Sequence, residues 1–241
     1  SVTITEPDTL RFLVDSISNV KCHGGSDAAI TITATGGTQP YTYKIDGGSY
    51  SSNNVFTGLS AGNHRLYAMD SNNCVFDSVI TITEPDTLRF LVDSISNVKC
   101  HGGSDATITV TGTGGTAPYT YKIGIAGSYS SSNVFTGLSI GNYDVYVKDV
   151  NGCVYDSIIA ITEPDSLKWN KISQTNVGCK ANNSGSVLLT SIGGVYPFTY
   201  QLDSVGVILI PYTSDSLRSG LYAGTYHITI MDANGCTWTA S

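Results

Sequence analysis

Six cysteines, Cys22, Cys74, Cys100, Cys153, Cys179 and Cys236, are the residues of this 241-residue chain best suited to chemistry. Thiols form disulfides, ligate metals or act as nucleophiles, and spacing separates the three. Zinc sites draw on close pairs such as C-x2-C, whereas successive pairs here stand more than fifty residues apart. His23 and His101 follow Cys22 and Cys100 in CHGG, and Lys180 takes that place after Cys179. Neighbours on an extended chain point to opposite faces, so a Cys–His nucleophile pair is not expected and these positions read as polar loop residues. What remains is a set of disulfides formed in an oxidising compartment.

The cysteines recur because the chain does. ITEPDTLRFLVDSISNVKCHGGSDA runs from Ile4 to Ala28 and returns unchanged from Ile82 to Ala106, 78 positions on. A looser copy opens with ITEPDSLKW at Ile161, a further 79 positions along. The period divides the chain into a tail of a preceding repeat (1–7) and three units, 8–85, 86–164 and 165–241, the third C-terminally incomplete. Its ends thus read as a cut from a longer array.

Within a copy the apolar period is two, the mark of strands. In the second copy ATITVTGTGG (Ala106 to Gly115) alternates into a glycine turn, and PYTYKI (Pro118 to Ile123) is a short aromatic strand. NYDVYVKD (Asn142 to Asp149) puts Tyr143, Val145 and Val147 on one face; VNG turns the chain; CVYDSIIAIT (Cys153 to Thr162) runs back. LRFLVDSIS (Leu88 to Ser96) precedes them all. Inward residues correspond across copies: His64, Leu66 and Ala68 in the first, Tyr226, Ile228 and Ile230 in the third. The expected fold is all-β, three tandem immunoglobulin-like sandwiches in an elongated rod. LSIGNY (Leu138 to Tyr143) resembles a tyrosine corner, with His64 replacing the tyrosine in copy one. Pro85 and Pro164 make up most of the linkers and stiffen them.

Two cysteine pairings fit this frame. The expected one stays within copies, Cys22–Cys74, Cys100–Cys153 and Cys179–Cys236, closing loops of ~52 residues worth roughly 4 kcal/mol each. It needs a short or bent first strand, because in a simple sandwich the two cysteines lie at opposite poles. The rival joins neighbours, Cys22 to Cys153 and Cys100 to Cys236, and leaves Cys74 and Cys179 unpaired. At the same pole Asp149 and Asn151 approach Glu84 and Asp86, a candidate calcium cluster beside the default reading of D-x-N-G as a turn. No other cofactor is expected. If copy three lacks its last strand, SVTITE from another molecule can fill the exposed edge.

Composition narrows the function. Charged residues form 13% of the chain, about half the usual quarter, and the net charge is −7. No basic cluster offers itself to phosphates, which excludes nucleic acid, and no apolar run is long enough to insert in a membrane. Carboxylates are sparse and no nucleophile sits in a triad signal, so no enzyme is expected.

GGTAPYTYKI (Gly114 to Ile123), FTGLSIGNYDVYVKDVNGC (Phe135 to Cys153) and the closing ITEP resemble the SprB-type repeat, named for gliding-motility adhesins on the surface of Bacteroidetes. Copy one departs with DSNNC, copy three with GGVYPFTY and a longer insertion, SVGVILIPY. The resemblance implies export through the gliding-associated type IX secretion route, extracellular display at the cell surface and a part in adhesion or movement. The expected role is a stalk whose partners are its own neighbouring repeats. An alternative is a module binding extracellular polysaccharide or the substratum through exposed tyrosines or through Trp169 and Trp238.

Overall fold

The computed structural model of the chain describes residues 1–204 and 207–240, and every regular element among them is a β-strand. Repeat one contains β1 (Arg11–Ser18), β2 (Ala28–Thr35), β3 (Thr42–Ile45), β4 (Val55–Leu59), β5 (Gly62–Met69) and β6 (Val75–Ile82). They form two antiparallel sheets, β1-β2-β4 facing β3-β5-β6. The chain changes sheet three times, between β2 and β3, between β3 and β4 and between β4 and β5, the crossing pattern of an immunoglobulin-like sandwich.

Repeat two repeats the plan with β7 (Arg89–Ser96), β8 (Ala106–Thr113), β9 (Thr120–Ile123), β10 (Val134–Leu138), β11 (Gly141–Lys148) and β12 (Val154–Ile161). Strands β4 and β10, the VFTGL segments, show no period in the sequence; two adjacent apolar residues before a Thr-Gly pair give too short an alternation to declare a strand.

Repeat three contains β13 (Lys168–Thr175), β14 (Gly185–Ile192), β15 (Thr199–Ser204), β16 (Val207–Thr213), β17 (Leu217–Leu221), β18 (His227–Met231) and β19 (Thr237–Ala240). Part of the SVGVILIPY insertion forms β16, which widens the second sheet to β16-β15-β18-β19. Val205 and Gly206 of that insertion lie outside the described residues. The last strand is present but short: β19 pairs only with Ile228–Met231, whereas β12 pairs with the whole of β11.

Period-two alternation fills the space between the sheets. In β8 Ala106, Ile108 and Val110 are fully buried, facing Val145 and Val147 of β11, while intervening residues turn outward. Burying each isoleucine or valine of this set contributes about 1.5–3 kcal/mol. Three clusters result, spanning Leu10 to Ile82, Leu88 to Ile161 and Leu167 to Ile230, each drawn from one copy alone.

The tyrosine corner is present in repeats two and three. Tyr143 Oη donates to the Ser139 carbonyl (3.0 Å), and Tyr226 Oη to that of Tyr222 (2.9 Å). His64 occupies the same corner, with Nε2 3.0 Å from the Ser60 carbonyl and Nδ1 2.9 Å from Asp46 Oδ2. Both partners accept, so only the doubly protonated ring satisfies both. The Asp46 hydrogen bond, helped by the Ser60 carbonyl, raises the His64 pKa above its ordinary 6.5, and the same bond lowers that of Asp46.

A raised folded pKa gives stability that is full below the unfolded value and fades as pH climbs through the folded one. Repeat one should therefore lose stability as pH rises from the ordinary histidine value through the raised one, and thermal melts on the two sides of neutrality should show the fall. In His64→Tyr, which installs the corner of the other repeats, the slope should flatten; an equal slope there would exclude His64 as its source.

Candidate functional site

The ends of each sandwich are its most chemically detailed parts, and successive repeats meet there. At the upstream pole of repeat two the linker, the GGT loop and the D-x-N-G-C turn are tied together. Gly115 N–H donates to the Asp86 carbonyl (2.7 Å) and Val150 N–H to that of Thr116 (3.1 Å). Asp149, 3% exposed, accepts from the N–H groups of Thr116 and Cys153, both at 2.9 Å. Gly115 has φ +57°, and a Cβ there would meet Asp149 Oδ2 at 2.8 Å, so the paired glycines are a steric requirement. In repeat one Asp70 accepts from Thr38, Asn72 and Cys74. Burial pushes that carboxyl up, but the backbone donors outweigh it and hold its pKa below the ordinary value. The departure DSNNC keeps the turn, because Asn73 adopts the positive φ (63°) that Gly152 takes elsewhere.

At the downstream pole the chain leaves beside the β1–β2 loop. Val20 N–H donates to the Thr83 carbonyl (3.1 Å), and Thr83 N–H to Asn19 Oδ1 (3.0 Å). Gly24 N–H donates to Glu84 Oε2 (2.6 Å), while His23 Nδ1 lies 3.3 Å from Glu84 Oε1 and 3.2 Å from the Pro85 carbonyl. The next downstream pole matches it: Gly102 N–H donates to Glu163 (2.7 Å), and His101 Nδ1 lies 2.9 Å from that carboxylate. The histidines of CHGG therefore hold the linker glutamate, a role their position after cysteine does not announce.

The two poles face each other across each joint. Cys22 is bonded to Cys153 and Cys100 to Cys236, with Cα atoms 5.7 and 5.6 Å apart. Beside the first disulfide Asn151 Nδ2 donates to the Lys21 carbonyl (3.2 Å); beside the second Asn234 Nδ2 donates to that of Lys99 (2.8 Å). The pairing expected within each copy, Cys22–Cys74, Cys100–Cys153 and Cys179–Cys236, is thus replaced by pairing between neighbours. The reason is distance. Strands of eight residues put a sandwich's two cysteines roughly 26 Å apart, while a disulfide needs Cα atoms within about 7 Å. Cys74 and Cys179 are free and exposed.

The four calcium candidates are not gathered into one ligand set. Glu84 is engaged by Gly24 and His23, Asp149 by its own turn, and Asn151 by Lys21 and Thr116. Asp86 is exposed and holds the GGT loop through its carbonyl. Among the described residues no group of three or more His, Cys, Asp or Glu side chains is placed to hold a metal ion.

The aromatic residues are largely occupied as well. Trp169 and Trp238 pack on each other, centroids 6.2 Å apart, against the repeat-three core. Lys44 covers Tyr50 and Tyr67, and Lys122 covers Tyr129 and Tyr146, at 4.3–5.1 Å from the ring centroids. Tyr196 and Tyr222 remain exposed, at 81% and 59%.

Comparison with known proteins agrees with the repeat structure. Residues 14–49, 92–123 and 172–207 match the family model described as the SprB repeat. No curated protein matches the chain. Among solved structures it is similar to the three N-terminal domains of the highly immunogenic outer capsid protein of bacteriophage RB49 (14% identity, 95% of this chain and 97% of that chain, TM-score 0.46). It is also similar to a C-terminal fragment of intimin (17% identity, 64% of this chain and 67% of that chain, TM-score 0.33). The eight N-terminal immunoglobulin domains of the Down syndrome cell adhesion molecule are a further match (11% identity, 93% of this chain and 35% of that chain, TM-score 0.37). At these scores the structural likenesses carry no functional argument.

Proposed function

We propose that this chain, three segments of which match the SprB repeat, is a non-catalytic spacer segment of a bacterial cell-surface adhesin, holding adhesive parts away from the cell during attachment or gliding. SprB repeats occur in surface proteins, and disulfides fit an extracellular location. Export by the type IX route belongs to the same reading.

The observation that carries it is the joint. A disulfide, a proline linker and a hydrogen bond from an asparagine side chain to the neighbouring backbone tie each pair of sandwiches. A binder needs a presented surface, whereas a spacer needs resistance to bending and proteolysis, and the hydrogen-bonded detail that recurs between copies lies at their ends. Three sandwiches in series reach roughly 100 Å, for a radius of gyration of about 30 Å, against about 18 Å for a compact chain of this length. Small-angle scattering should give the larger value, with no saturable binding of the purified chain to extracellular polysaccharide. A compact particle would remove the spacer reading. Saturable binding lost in Tyr196→Ala or Tyr222→Ala would put polysaccharide recognition in its place.

A further inference from the structure

Asn151 and Asn234, whose side chains reach across the two joints, are each followed by glycine and then by a joint cysteine. Asparagine before glycine is the sequence most open to deamidation, because glycine has no side chain to keep its nitrogen from the preceding amide carbon. Both asparagines are exposed, so water has access to them.

In the closed joint neither reacting group is at liberty. Gly152 N–H donates to the Asp149 carbonyl (3.1 Å), which holds the nitrogen and its proton in the turn. Asn151 Nδ2 donates to the Lys21 carbonyl of the preceding repeat (3.2 Å) and to Thr116 Oγ1 (3.1 Å), which ties the side chain at two points. The second joint repeats the arrangement. Gly235 N–H donates to the Asp232 carbonyl (3.0 Å), and Asn234 Nδ2 to that of Lys99 (2.8 Å). Cys153 and Cys236, two residues beyond each asparagine, are bonded to Cys22 and Cys100, so each turn is clamped to the repeat before it.

We propose that Asn151 and Asn234 are deamidation sites guarded by the joints, so that opening a joint lets its asparagine become a carboxylate and leaves the joint unable to close as before. In the open state the Gly152 nitrogen attacks Asn151 Cγ. A cyclic imide forms with the new C–N bond as the Cγ–Nδ2 bond breaks, and the leaving amide departs as ammonia with the proton from Gly152. Water then opens the imide to aspartate or isoaspartate, and no electrons are exchanged. The product carboxylate only accepts hydrogen bonds and would face the Lys21 carbonyl, another acceptor, so attraction becomes repulsion. Its charge also falls two residues from buried Asp149. Isoaspartate lengthens the backbone of the turn beside Cys153 as well.

The test holds the whole oxidised chain, as wild type and as Cys22→Ser with Cys153→Ser, at mildly alkaline pH. Mass spectrometry of the peptides cut after lysine and arginine reads amide-to-acid conversion, since Asn151 is the only asparagine of peptide 149–168 and Asn234 of peptide 219–241. Asn151 should convert at least about fivefold faster in the double variant, where the crosslink no longer opposes local opening. Asn234, behind the intact Cys100–Cys236 bond, should convert at the wild-type rate. In a second measurement Asn151→Asp should let limiting dithiothreitol reduce Cys22–Cys153 at least about threefold faster, as access to the sulfurs rises, with Cys100–Cys236 unchanged. Equal Asn151 conversion in the two chains, acceleration at Asn234 as well, or wild-type reduction of Cys22–Cys153 in Asn151→Asp would overturn the proposal.

Discussion

Pulled by its two ends, the oxidised chain should stop extending at about one third of the length of the reduced chain. Force applied at Ser1 reaches Cys22, crosses to Cys153, runs backwards through repeat two to Cys100, crosses to Cys236 and leaves at Ser241. That route covers 21, 53 and 5 residue steps, about 270 Å at ~3.4 Å per residue. Without the disulfides all 241 residues extend, to roughly 800 Å. Single-molecule stretching with and without reductant reads both lengths. An oxidised chain that reached the longer extension would show that the crosslinks do not carry the force. For a surface spacer the short limit means that unfolding one sandwich releases little slack.

Ile108→Ala should be the most damaging single substitution of those the core suggests. Ile108 is fully buried at the centre of β8, and removing a buried isoleucine costs about 2–5 kcal/mol. A sandwich of this size has about 4–12 kcal/mol in hand, so repeat two becomes marginal. Its melting transition should fall by some 15 °C, at ~4–8 °C per kcal/mol for a small domain. Because each core draws on one copy, hydrogen exchange should accelerate in residues 86–164 and stay unchanged away from the joints in the other repeats. Equal acceleration in all three would mean a shared core.

Much of this was legible in the sequence. The repeat and the period-two alternation located five of the six strands of repeat two and its inward residues, because those signals are local and reinforced by threefold copying. VFTGL escaped, being too short to show a period. Arg218 gave no signal either: it is buried in the slot of Phe56 and Phe135, donating to the Tyr200 carbonyl and Thr213. The disulfides show the limit most clearly. Spacing favours closure within a copy, since each copy holds one pair, but the choice depends on which pole of the sandwich each loop occupies. That is a property of two folded neighbours, visible only when Lys21 and Asn151 stand across a joint. The calcium candidates have separate partners for a related reason: Asp149 and Glu84 are at the joint, where backbone N–H groups donate to their carboxylates.

Peptide mapping without reductant tests the interlocked joints most directly. Cleavage after lysine and arginine places all six cysteines in separate peptides, because Lys21 precedes the first and Lys44, Arg65, Arg89, Lys99, Lys122, Lys148, Lys168, Lys171, Lys180 and Arg218 fall between them. The expected result for the monomer is peptide 22–44 joined to 149–168 and peptide 100–122 joined to 219–241, with Cys74 and Cys179 open to alkylation. Peptide 22–44 joined to 66–89, or 100–122 joined to 149–168, would contradict it.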